Sequence, residues 1–85
     1  MSNDERIGDI AHYYNKISVA VLKLHRPLRL GDKVHFIGAH TDFIQEIHSM
    51  QIDHEAVNEA KAGDEVAVKV DQRIRRGDTA FQSTA

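Results

Sequence analysis

Cysteine and tryptophan are absent from this sequence, and proline occurs once. Without cysteine there is no disulfide and no thiolate zinc site. Aromatic residues are few, two tyrosines and three phenylalanines, so a core must be built mainly from aliphatic side chains. No apolar run approaches the ~20 residues of a membrane-spanning helix. The opening Met1-Ser2-Asn3-Asp4-Glu5-Arg6 has neither the basic start nor the apolar stretch of a signal peptide. Positive charge is not in excess either, since the formal net charge is −2. Binding to nucleic acid regardless of sequence depends on many Lys and Arg neutralising phosphates, and that balance disfavours it, leaving room only for a local basic patch. A Gly-rich loop ending in Lys-Ser or Lys-Thr, needed to cradle phosphates, is missing, so the chain has no nucleotide site of its own. The expectation is a soluble, cytoplasmic protein without a cofactor.

What is present is a short chain with a globular composition: 85 residues, 41% of them hydrophobic. That length holds one domain with a thin core. The folded part is expected over residues 7–82, with flexible tails at 1–6 and 83–85.

The dominant pattern is β. Ile7 to Tyr14 is a first candidate strand and Ile17 to Leu24 a second, dense in β-branched and aliphatic residues. In Lys33 to Gly38, Val34 and Phe36 share a face. Phe43, Gln45 and Ile47 share a face, then Met50 and Ile52 take the opposite parity, as a bulge or corner within one long strand produces. Val66, Val68 and Val70 alternate with Glu65, Ala67 and Lys69, and a last short strand falls near Asp78 to Gln82. Glu55 to Ala62 reads as an ordered loop with at most one helical turn, pinned by Val57 and Ala60, because an isolated two-turn helix is marginal. Ile10, Leu22, Val34, Phe36, Ile47, Ile52, Val66, Val68 and Val70 are the expected core.

One device recurs: Gly31-Asp32, Gly63-Asp64 and Gly77-Asp78 each stand directly before a strand. Glycine supplies a positive φ at no steric cost, and aspartate bonds to nearby backbone N–H groups. Arg76-Gly77-Asp78 is therefore read as a turn and not as an adhesion tripeptide. Six short strands separated by such turns predict a small closed six-stranded β-barrel, since closure removes exposed edges; a two-layer sandwich is the alternative, which periodicity alone does not separate from it.

The order of these signals resembles the β-barrel domain that follows the GTPase domain in elongation factor Tu and its relatives. The resemblance runs through Ile7-Gly8-Asp9-Ile10, Leu28-Arg29-Leu30-Gly31-Asp32-Lys33-Val34, Phe36-Ile37-Gly38, Ile47-His48-Ser49-Met50-Gln51-Ile52, Glu59-Ala60-Lys61-Ala62-Gly63-Asp64-Glu65-Val66 and Arg76-Gly77-Asp78. It implies a translation-factor-like binding module that meets a protein, the ribosome or transfer RNA. The elongation factors flank their second strand with glycines where they hold charged tRNA; residues 17–24 contain none, so those contacts are not carried over. The opening is also similar to the C-terminal barrel of collagenase-like bacterial peptidases, on His12-Tyr13-Tyr14, Lys16-Ile17 and Val19-Ala20-Val21. That second resemblance implies an accessory domain or adaptor whose catalytic partner lies elsewhere.

Candidate sites are weighed against plainer roles. Six histidines invite a metal reading, with His48, His54 and Asp53 on one strand, but no His-Glu-x-x-His spacing occurs and solvated histidines are the favoured reading. Ser18 and Ser49 are read as lying inside strands without a nucleophile-elbow pattern, so no catalytic residue is assigned. Lys69, Arg73, Arg75 and Arg76 cluster and are the RNA-backbone candidates, against a solvated rim. Strand two is apolar on both faces. Ala20, Leu22 and Leu24 fill the core; Ile17, Val19 and Val21 then form an outer row that calls for a protein partner or a second copy.

Overall fold

The structure, a computed structural model, describes residues 5–83. The expected tails at 1–6 and 83–85 fall partly outside them, and Glu5 and Arg6 already belong to the first strand. No described residue is helical. Among the described residues there are ten strands: β1 Glu5–Tyr14, β2 Val19–Leu24, β3 Leu28–Arg29, β4 Lys33–Gly38, β5 Thr41–Glu46, β6 Met50–Ile52, β7 Glu55–Ala56, β8 Glu59–Ala60, β9 Glu65–Lys69 and β10 Thr79–Gln82. Eight form one antiparallel sheet in the order β5-β4-β10-β1-β2-β9-β6-β7, and β3 pairs with β8.

The sheet wraps one core. Leu22, Val34, Phe36, Ile47, Val66 and Val68 are fully buried, and Ile10 and Val70 nearly so, as their alternation predicts; Ile52 is only partly buried. Ile7, Leu24, Leu28, Met50 and Ile74 complete the cluster, with Phe36 against Phe43 at 5.2 Å between ring centres. Each fully buried aliphatic side chain contributes roughly 1.5–3 kcal/mol of transfer free energy.

A closed six-stranded barrel is not what forms. Among the described residues no ladder joins β5 to β7, the two ends of the sheet. A side chain spans part of the gap instead: the Gln45 amide of β5 donates to the Lys69 carbonyl at 3.1 Å and accepts from Asp71 N–H at 2.7 Å. Gln45 is buried, so these bonds also satisfy an otherwise costly polar group.

Three local expectations change. The stretch from Phe43 to Ile52 is two strands, not one bulged strand. Residues 47–49 are a connection, where Ile47 N–H donates to Asp32 C=O and Gly31 N–H to Ile47 C=O, and so β5 and β6 take widely separated places in the sheet. His48 and Ser49 accordingly sit in a connection. Between Glu55 and Ala62 lie the two-residue strands β7 and β8 rather than a helical turn, although Val57 and Ala60 do pack on the core. The second strand begins at Val19, not Ile17, because residues 15–18 are a turn in which Ser18 has φ 56°; Ile17 and Ser18 are outside the strand.

The Gly-Asp device holds at all three positions. Gly31, Gly63 and Gly77 have φ of 93°, 94° and 93°, the value a type II turn needs at its third residue. In each turn the aspartate carboxylate accepts the N–H three residues back, at 2.9 Å: Asp32 from Arg29, Asp64 from Lys61, Asp78 from Arg75. Asp78 differs in being buried. It also accepts from buried Thr41 Oγ1, and it occupies the space a side chain at Gly38 would fill, since a Cβ there would lie 1.9 Å from Asp78 Oδ1.

Candidate binding face

The outer surface of β2 becomes a groove through two irregularities beside it. A bulge in β1 places both Ala11 and His12 opposite Val21, after Ile10 has paired with Leu22. The extra residue reverses the parity of the strand end, so Tyr13 packs on the core while His12 and Tyr14 face out. Their rings meet edge to face, 4.2 Å between centres, and this contact orients Tyr14. On the opposite side, Asp53 and His54 have φ of 51° and 67° and close the β6–β7 hairpin in the manner of a two-residue type I′ turn. His54 is thus a turn residue and does not share a strand with His48.

Between these walls runs an open groove of about 480 Å³, lined by Tyr14, Ile17, Val19, Val21, Gln51, Asp53, His54, Glu65 and Ala67. Its floor follows the sheet register: Val21 pairs with Ala67, and Ala67 with Gln51. Val19 and Val21 are half-buried, Ile17 is 59% exposed and Tyr14 49%. The inward residues of the same strand, Ala20, Leu22 and Leu24, are at most 1% exposed, so the two faces divide as the alternation predicts. Ile17 joins the row from the turn rather than from the strand.

The basic candidates gather only in part. Arg73, Arg75 and Arg76 line a separate open cleft of about 380 Å³ with His12, Tyr13, Asn15 and Ile74; buried Ile74 anchors their loop. Lys69 is exposed at the end of β9, opposite Val19 in the ladder, and does not line that cleft.

Histidines sit beside aspartates at three places: His25–Asp9 at 3.0 Å, His35–Asp42 at 2.5 Å and His48–Asp71 at 3.6 Å. Among the described residues no group of three or more His, Asp or Glu side chains gathers where it could hold a metal ion. The Asp9 carboxyl is held below the ordinary aspartate range, first by hydrogen bonds from Arg6 and then by that from His25. Among the described residues no helix is long and apolar enough to cross a membrane.

Sequence reasoning found the three aliphatic members of the groove and missed Tyr14, Gln51, Asp53 and His54. Glu65 and Ala67 were legible as the outward partners of Val66 and Val68. For Tyr14 the bulge hides the parity. For Asp53 and His54 the only signal is a short polar pair between strands, without the glycine that usually marks such a turn.

No protein-family model matches the chain. It is 40% identical over 76 residues to an uncharacterized protease of Methanocaldococcus jannaschii, an alignment that covers 88% of this chain and 19% of the relative. The chain therefore spans about one fifth of that relative's length. Two crystal structures of the C-terminal domain of a Geobacillus thermoleovorans protein assigned to the U32 peptidases share the fold. One, the selenomethionine variant, superposes with a TM-score of 0.87 at 21% identity, covering 92% of this chain and 99% of that one. The other gives 0.88 at 20% identity, with 94% and 93% covered. The chain thus shares the fold of that C-terminal domain. Of the two resemblances read from the sequence, these findings support the peptidase domain over the elongation-factor barrel.

Proposed function

We propose that this chain is a non-catalytic accessory module of the U32-peptidase type, which seats a protein partner on the outer face of β2. The observation that carries the reading is the groove itself. An apolar row of Ile17, Val19 and Val21, with Tyr14 beside it, lies open on a small domain whose core is already complete on the other side of the same strand. Exposed apolar surface gathered in one concave place marks contact with another molecule. The likeness to part of a protease supplies the class of partner. A domain that makes up one fifth of such a protein has the rest of it as its natural neighbour.

Catalysis is assigned elsewhere because the groove offers no activated nucleophile. Ser18 and Ser49 lie in a turn and a connection and do not line it, and His54 is its one histidine. The test is affinity capture from native extract with the wild-type chain and with Val19→Glu. A U32-peptidase-type polypeptide retained by the wild type and lost by a folded Val19→Glu variant supports the reading. Equal retention by both removes β2 from the interface.

A further inference from the structure

The rim of the groove has a chemistry that its floor does not explain. Asp53 and Glu65 both line it, and among the described residues neither carboxylate is held in an ion pair. Lys23 stands opposite Glu65 in the ladder but forms no ion pair with it, and Asp9, on its other side, is held by Arg6 and His25. Tyr14 adds an aromatic ring, which His12 meets edge to face. An aliphatic floor with an aromatic ring at the Val19 end and two unpaired carboxylates towards the other suits a long cationic side chain. Such a side chain lays its methylene stem on apolar surface and keeps its charged head among anions or over a ring.

Size decides between a second copy of the chain and a peptide segment. A stable protein–protein interface uses roughly 20–30 residues a side, whereas nine residues line this groove. Its volume of about 480 Å³ suits a few side chains of an extended segment.

We infer that the groove recognises an extended segment of a protein partner through one Lys or Arg residue. The stem lies on Val19, Val21 and Ala67, the charged head reaches Asp53 and Glu65, and the ring of Tyr14 stands alongside. The inference rests on the docking role proposed above and names the chemistry of the segment that docks.

The test is a titration of the isotope-labelled chain, followed by amide chemical shifts, with three blocked pentapeptides. The first is Ser-Val-Arg-Val-Ser; the others carry Glu or norleucine in place of Arg. The arginine peptide is expected to give saturable shifts at Val19, Val21 and Ala67, weakening as salt is raised. The Glu and norleucine peptides should bind at least ~10-fold more weakly, because like charge or an unpaired rim opposes them. An Asp53→Lys, Glu65→Lys double variant whose amide spectrum shows it folded should lose at least ~10-fold in affinity for the arginine peptide, and Asp53→Asn with Glu65→Gln should lose less. Equal binding of all three peptides, no saturable binding of the arginine peptide, or shifts confined to other surfaces would overturn the inference. If that happens while Val19→Glu still abolishes partner capture, the docking role stands and the cation is wrong. If the arginine peptide binds as expected but Val19→Glu leaves capture intact, the docking role is wrong instead.

Discussion

Replacing the aspartate of each Gly-Asp turn by alanine, one turn at a time, isolates what burial adds to a fixed piece of turn chemistry. Asp32, Asp64 and Asp78 accept the same N–H, three residues back, at the same 2.9 Å. Asp32 and Asp64 are half-buried, so water replaces much of what alanine removes; each should cost about 1 kcal/mol. Asp78 is 5% exposed and also accepts from Thr41 Oγ1, itself buried. Hydrogen bonds to charged groups contribute ~1.5–3 kcal/mol each, and a buried hydroxyl left without its acceptor costs a further ~1–3 kcal/mol, partly the same loss counted twice. Asp78→Ala should therefore cost about 3–5 kcal/mol, a large share of the 5–15 kcal/mol typical of a whole domain. For a domain of this size 1 kcal/mol moves Tm by roughly 4–8 °C. Urea melts followed by circular dichroism should then rank Asp78→Ala well below the other two, with Asp78→Asn between. If Asp78→Ala is no worse than Asp32→Ala, the buried hub of Asp78, Thr41 and Arg75 N–H does not exist as described.

Other outcomes follow from the same geometry. Val68→Asp should unfold the domain, because the side chain is fully buried and an unpaired charge there has no partner; a variant that melts like the parent would place Val68 outside. Gly63→Val should cost more than ~1 kcal/mol in a denaturant melt through backbone strain alone, since φ is 94° and a Cβ would meet nothing within 4 Å. Asp9 has its pKa lowered in the fold, so its contribution is present above the ordinary aspartate value of ~3.9 and is lost as pH falls through the lowered one. The Tm gap between wild type and Asp9→Asn should accordingly be open at pH 6 and begin to narrow only once pH falls below about 4; a gap independent of pH would refute the role of Arg6 and His25.

How much of this was legible in the sequence depends on the length of the run that carries each signal. Val66, Val68 and Val70 alternate over enough positions for parity to be read, and the three Gly-Asp turns announce themselves by residue type. Two-residue strands such as β7 and β8 have no period, so Glu55 and Glu59 gave nothing to read. The open ladder escaped notice because alternation places Gln45 inward with Phe43 and Ile47 but does not show that its amide bonds the backbone of residues 69 and 71 where the ladder is open. The outer row of β2 was visible as apolar excess on a strand that needs only one buried face. Its acidic rim was not visible, because Asp53 and Glu65, more than ten residues apart in the chain, come to one groove only through the pairing of β6 with β9. Arg73, Arg75 and Arg76 were conspicuous as a cluster, yet sequence proximity did not bring Lys69 to the cleft they line.

The docking role of β2 is tested most directly by a photo-crosslinking amino acid placed at Val19, with the same residue at Ile44 as the control. Ile44 is 47% exposed on the outer side of β5 and does not line the groove. After irradiation in native cells, the crosslinked product is identified by mass spectrometry. The account expects a U32-peptidase-type polypeptide joined at Val19 and little or nothing joined at Ile44. Crosslinks at Ile44 with none at Val19, or no protein product at Val19, would contradict it.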